Sequence, residues 1–306
     1  MKLLKWLASL DRRVIYALVL VVVIAPLIWK SSPPIEISPE VQMAYNSLDK
    51  VPANGIVMFS IDYDGASEAE LQPMMLAMLR HCFSRNVRVI MTAQWPLGMP
   101  LGQMALDSAA VEYHKEYGKD YINIGYRPGG NALMVGLGKS GFRQYFLRDF
   151  RGTMIDSFPF MRTVHNYGQI DRLVGLEAGA SGDAWVQYAG AQFGLRIILG
   201  VTGVMATSMY PYLDAKQIDG LVGGLRGAAE YETLIHHPHR GVWGMNSQSY
   251  VHLLIIVLVI LGNITFYFER RAKNKRPGIR GQGSGGQGST EPVPQNPRTQ
   301  EPKQPV

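Results

Sequence analysis

The residues whose types and spacing could support chemistry gather where apolar runs give way to turns. Ile56–Gly65 (IVMFSIDYDG) closes an apolar run with Asp62 and Asp64, two positions apart and followed by Gly65. Paired carboxylates at such a place suit work beside a hard cation, or the capping of a strand-to-helix turn, where a helix dipole favours negative charge. Turns after the other apolar runs hold Thr92, Gln94, Arg127, Glu177, Asp183, Thr202 and Ser208. Ligands of open parallel sheets bind outside the carboxyl ends of the strands, so these residues are candidates to line a cleft.

Two further patterns point less clearly to chemistry. His236, His237 and His239 offer neutral imidazoles of the kind zinc or copper takes, but no Cys or carboxylate stands at ligand spacing. A linker ahead of an apolar span is the plainer reading. Gly136–Gly141 (GLGKSG) resembles a phosphate loop only in part, because the pattern needs glycine where Leu133 stands. The single cysteine, Cys82, rules out an intramolecular disulfide and a four-cysteine zinc site, and reads as a small buried helix residue.

Five short apolar runs would position these turns: Gly55–Ile61, Val87–Thr92, Tyr121–Gly125, Arg172–Leu176 and Arg196–Val201. Each has the length of a buried strand. Between and after them the spacing predicts helices over Ser67–Arg85, Leu101–Tyr117, Asp183–Phe193 and Gln217–Ile235, the first opened by a capping box of Ser67 and Glu70. The alternation argues an α/β fold, with a doubly wound, mostly parallel sheet of about five strands. Gly129–Val164 has no clean period and reads as helices and loops inserted after the third strand, facing the membrane or another subunit. Gly220, Gly223, Gly224 and Gly227 fall at helical i, i+4 spacing, which calls for close packing against this domain's own sheet or a second subunit.

Val14–Trp29 and Tyr250–Phe268 are uncharged apolar runs long enough to cross a bilayer. The first lacks a small-residue cleavage site and reads as an uncleaved anchor. Residues 1–13 carry a net +3 and residues 269–306 a net +5, so the chain's formal +6 leaves −2 for everything between. A basic balance confined to two ends is a topology signal rather than a nucleic-acid surface. It predicts residues 1–13 in the cytoplasm, a span over 14–29, a domain outside the cytoplasm over 30–249, a second span over 250–268 and a cytoplasmic tail over 269–306. Rich in Gly, Ser, Gln and Pro after Arg280, that tail has almost nothing to bury and reads as disordered.

An apolar strand ending in Asp62-Tyr63-Asp64-Gly65 resembles the first motif of the haloacid-dehalogenase-like phosphotransferases. The resemblance implies a nucleophile at Asp62 that also binds magnesium, a general acid at Asp64 and a phosphate-holding hydroxyl at Thr92. Ala66 departs from that family's pattern, Arg127 stands where it has a lysine, and Gly182-Asp183 with Gln187 replaces its acidic fourth motif. Phe59–Asp64 (FSIDYD), Glu116–Asp120 (EYGKD), Met209–Leu213 (MYPYL) and Gly223–Glu232 (GGLRGAAEYE) resemble a group of uncharacterised bacterial two-span membrane proteins. That resemblance implies an anchored α/β architecture and brings no activity.

The resulting expectation is a protein of the inner or plasma membrane, with the bilayer and either further copies of itself or another membrane protein as partners. It would scaffold a membrane assembly and need no cofactor. A magnesium-dependent phosphohydrolase and a small-solute binding domain are the alternatives.

Overall fold

The computed structural model describes residues 11–30 and 33–274. The expected tail after Arg280 and most of the expected amino-terminal segment lie outside them. The chain divides into two compact units, Leu10–Leu258 and Met1–Ser9 with Val259–Val306. In the second unit the described residues continue a helix that begins in the first.

β1 (Ile56–Asp62), β2 (Arg88–Ala93), β3 (Tyr121–Tyr126), β4 (Arg172–Glu177), β5 (Ile197–Val201) and β6 (Gly220–Gly223) form one sheet in the order β3-β2-β1-β4-β5-β6. Every neighbouring pair is parallel. Apart from its sixth strand the sheet is the one the apolar runs predict. β1 and β4 are buried along their whole length, as strands covered on both faces must be. The order reverses between β1 and β4, which makes the fold Rossmann-like, and the crevice between these strands is its switch point.

The helices within the first unit are α1 (Arg12–Trp29), α2 (Pro39–Asp49), α3 (Glu68–Ser84), α4 (Gly98–Glu112), α5 (Gly130–Lys139), α6 (Phe142–Tyr145), α7 (Ser181–Trp185), α8 (Ala191–Phe193), α9 (Gly203–Asp214) and α10 (Gly224–Leu234). A π-helical turn, Val186–Gly190, joins α7 to α8. One sheet face packs on α2, α3, α4 and α10 through Val57, Phe59 and Ile61 of β1. Ile56 and Met58, one residue out of step, face the second core under α5 to α9. Period-2 alternation thus divides one strand between two cores.

Two expectations need correction. Gly220 and Gly223 lie in β6 rather than on a helix, and α10 begins only at Gly224. An added Cβ on Gly220 would run into the backbone of Ala44, and one on Gly223 would come within 2.8 Å of the Ala206 Cβ. These glycines therefore admit α2 and α9 of the same chain, and Gly224, at φ +61, turns the strand into the helix. Gly129–Val164 forms helices and loops between β3 and β4, as expected, and buries Leu133, Leu137, Phe142, Met161 and Val164 in the second core while leaving Leu147, Phe150 and Met154 exposed. The second correction is that Ser67 makes no side-chain cap, and Glu70 instead accepts the Gly203 amide at 2.7 Å. That amide opens α9 and is a competing donor brought close only by the tertiary fold.

α11 (Arg240–Asn274) runs through the second apolar segment. α1 and α11 are each long and apolar enough to cross a membrane. α3 and α10 lie side by side and run from the strand carboxyl ends toward the amino ends. α11 starts where α10 stops, and the join is made by Glu232. Its buried carboxylate accepts from the backbone of His239 (2.7 Å), Gly241 (2.9 Å) and Val242 (2.9 Å). Amides at a helix start otherwise lack partners.

Candidate functional site

The sheet brings Asp62 and Glu177 together. They are cross-strand partners at the carboxyl ends of β1 and β4. Alternation puts Met58, Ser60 and Asp62 on the second face, and Leu173, Gly175 and Glu177 beside them. Both carboxyl groups are 0% exposed.

Their hydrogen bonding is unequal. Asp62 Oδ1 accepts from the Gln94 amide at 2.5 Å, while Oδ2 accepts from Ser60 Oγ at 2.8 Å and Trp185 Nε1 at 3.4 Å. Glu177 is served less well: it shares a hydrogen bond with Asp62 and takes one from Ser181, neither of good geometry. Gly175 makes the room for it, since a Cβ there would lie 2.6 Å from Glu177 Oε1.

Burial raises Asp62 above the ordinary carboxylate range, and the donors from Gln94, Ser60 and Trp185 pull against that rise. Burial raises Glu177 well above its ordinary range, and the neighbouring Asp62 charge adds to the effect. Two carboxylates in one dry site cannot both ionise cheaply, so Glu177 holds a proton and Asp62 takes the charge.

The crevice rim adds a second unsatisfied group. Gln94 follows β2, and its side-chain Nε2 and Oε1 are buried without partners. The Trp95 indole leans over the turn after β4, within 3.0 Å of where a Gly179 Cβ would stand. An unpartnered amide donor and amide acceptor therefore stand beside a buried carboxyl pair where sheets of this order take ligands.

The other expected residues lie apart from this pair or are otherwise engaged. Asp64 Oδ1 accepts the Ala66 amide at 3.0 Å, which closes the strand-to-helix turn. Thr92 is buried and donates to the Gly125 carbonyl at 2.9 Å. Asp183 bonds Tyr212, Thr202 leads into α9, and Ser208 donates to the Met205 carbonyl at 2.7 Å. Arg127 is exposed. His237 Nε2 lies 2.9 Å from Glu112 Oε1 at the other end of the domain, and His239 stacks toward Trp243. His236 sits at φ +54 in the same turn. Among the described residues no three His, Cys, Asp or Glu side chains are placed to hold a metal ion. Sequence reasoning missed Ser60, Trp95 and Trp185. Ser60 carried a usable signal, since it sits two residues before Asp62 and so shares its face.

The class this geometry defines is a Rossmann-like α/β domain with a buried carboxyl pair at its switch point, carried by a chain with two helices able to span a bilayer. Comparison with protein-family models, curated proteins and solved structures finds no match.

Proposed function

We propose that the protein is a membrane-anchored interaction protein whose α/β domain lies outside the cytoplasm and takes up a small polar ligand in the crevice between β1 and β4. The observation that carries this reading is the unpartnered Gln94 side-chain amide, next to a buried Glu177 carboxyl whose hydrogen bonds are poorly formed. A ligand offering both donors and acceptors, such as a polyol or a primary amide, complements that set. The full-length chain is to be unfolded thermally in detergent against a panel of primary amides and polyols. One class raises Tm in a dose-dependent way, and Glu177→Ala abolishes the rise; a panel without effect refutes the reading.

Basic flanks at both ends support the sidedness. Cys82, the one native thiol, is buried, so Lys119→Cys adds a single exposed thiol to the domain. Labelling of that thiol in intact cells by an impermeant reagent is the expected result, and labelling only after lysis reverses the orientation.

Self-association is favoured by α9. Residues 203–213 carry no charge, only Met209 is buried, and Val204 is 86% exposed. Native mass spectrometry decides it, with a monomer as the refuting result. The phosphohydrolase reading gains less. Asp62, its nucleophile, already accepts three hydrogen bonds, and the Thr92 hydroxyl is already bonded. The assembly to which such a bacterial membrane protein would belong follows from the self-association result.

A further inference from the structure

The buried side-chain polar atoms left without a partner among the described residues fall into two groups. Gln94 and Glu177 supply one. The other comprises Arg80 Nη1, His237 Nδ1, His239 Nδ1 and Trp243 Nε1, at the opposite end of the domain where α11 begins. Natural proteins rarely leave such groups unsatisfied, so a second cluster of them points to a missing component.

These side chains adjoin one another. The His237 and His239 ring centres lie 6.3 Å apart, and those of His239 and Trp243 5.1 Å apart. Lys30 Nζ stands 5.1 Å over the Trp243 ring. Burial first, then the nearby Arg80 and Arg240 charges, holds His239 down at about 4, so its imidazole is neutral at physiological pH.

The local carboxylates are already engaged. Glu112 takes Arg80 Nε at 2.8 Å and His237 Nε2 at 2.9 Å, and both Glu232 oxygens accept backbone amides. Arg and Trp nitrogens only donate, and Arg80 is 5% exposed. What they lack is an acceptor-rich, negatively charged group. Beside the cluster, α1 and α11 enclose an apolar groove of about 610 Å³ lined by Val22, Pro26, Trp29, Tyr250, Leu254 and Val257.

We propose that this junction holds the phosphate of a phospholipid, with an acyl chain lying in the groove between α1 and α11. The proposal rests on both helices spanning the bilayer and is independent of the crevice ligand. An anion with an apolar tail satisfies both halves of the site, whereas free phosphate would satisfy only one.

Native mass spectrometry of the full-length protein in neutral detergent tests it, with phosphatidylglycerol, dioleoylglycerol or inorganic phosphate added at equal concentration. Phosphatidylglycerol is retained and the other two are not. Trp243→Phe keeps the ring, removes the donor and weakens retention roughly tenfold; Arg80→Lys does the same if it folds by circular dichroism. Trp243→Phe alone decides if it does not. Equal retention of dioleoylglycerol, or wild-type retention by Trp243→Phe, overturns the phosphate contact. Inorganic phosphate held as tightly as the lipid overturns the lipid assignment.

Discussion

Asp62 and Glu177 face each other across two neighbouring parallel strands, on one side of the sheet and out of reach of solvent, with three donors on the first and no well-formed donor on the second. This imbalance divides one proton unequally between two chemically similar groups. It governs how the fold responds to pH.

Because the folded state keeps Glu177 protonated beyond its ordinary range, the native chain binds more protons than the unfolded one across that interval. The associated stability is complete below the ordinary glutamate range and is lost as pH rises through the raised folded value. Glu177→Gln is uncharged at every pH and flattens this decline. Urea midpoints measured from pH 5 to 9 check it, and equal pH slopes in the two proteins would show that the pair shares no proton.

Gly175→Ala places a Cβ 2.6 Å from Glu177 Oε1 and 3.0 Å from Leu199 Cδ2. Overpacking of this kind costs about 1–3 kcal/mol. Much of that cost disappears in a Glu177→Ala background, so a double-mutant cycle should show coupling of at least about 0.5 kcal/mol.

Gly220→Ala meets the backbone of Ala44 rather than a movable side chain. A loss of about 2–3 kcal/mol is expected. Faster hydrogen exchange in α2 than in α3 would locate the damage at the α2–β6 contact.

Glu232→Ala deprives three amides at the start of α11 of their acceptor. Bonds to a buried carboxylate are individually worth about 1.5–3 kcal/mol, so even with the freed amides partly re-satisfied by water a loss of at least about 3 kcal/mol is expected. Exchange protection at residues 239–242 falls, and Glu232→Gln lies between the variant and the wild type.

Much of this frame is legible in the sequence. β1 and β4 are readable because strands buried on both faces are apolar through most of their length, and the period of two assigns Ser60 and Asp62 to one side. What no single segment encodes is the pairing of β1 with β4, which alone makes Asp62 and Glu177 neighbours. β6 escapes recognition because Gly220, Gly223, Gly224 and Gly227 fit helical spacing as well as a strand followed by a helix. α9 escapes because a helix without a charged face lacks the amphipathic period. The capping box at Ser67 is locally sound and yields to Gly203, a donor far away in sequence.

The capped start of α11 also decides how the domain can be aimed. A freely jointed linker would let the crevice wander over a cone of directions about α11. With His239, Gly241 and Val242 fastened to one carboxylate of α10, that joint is closed. The bearing of the crevice relative to the first turns of α11 is thus set by the fold, and re-aiming it requires bending a helix or breaking the Glu232 contacts.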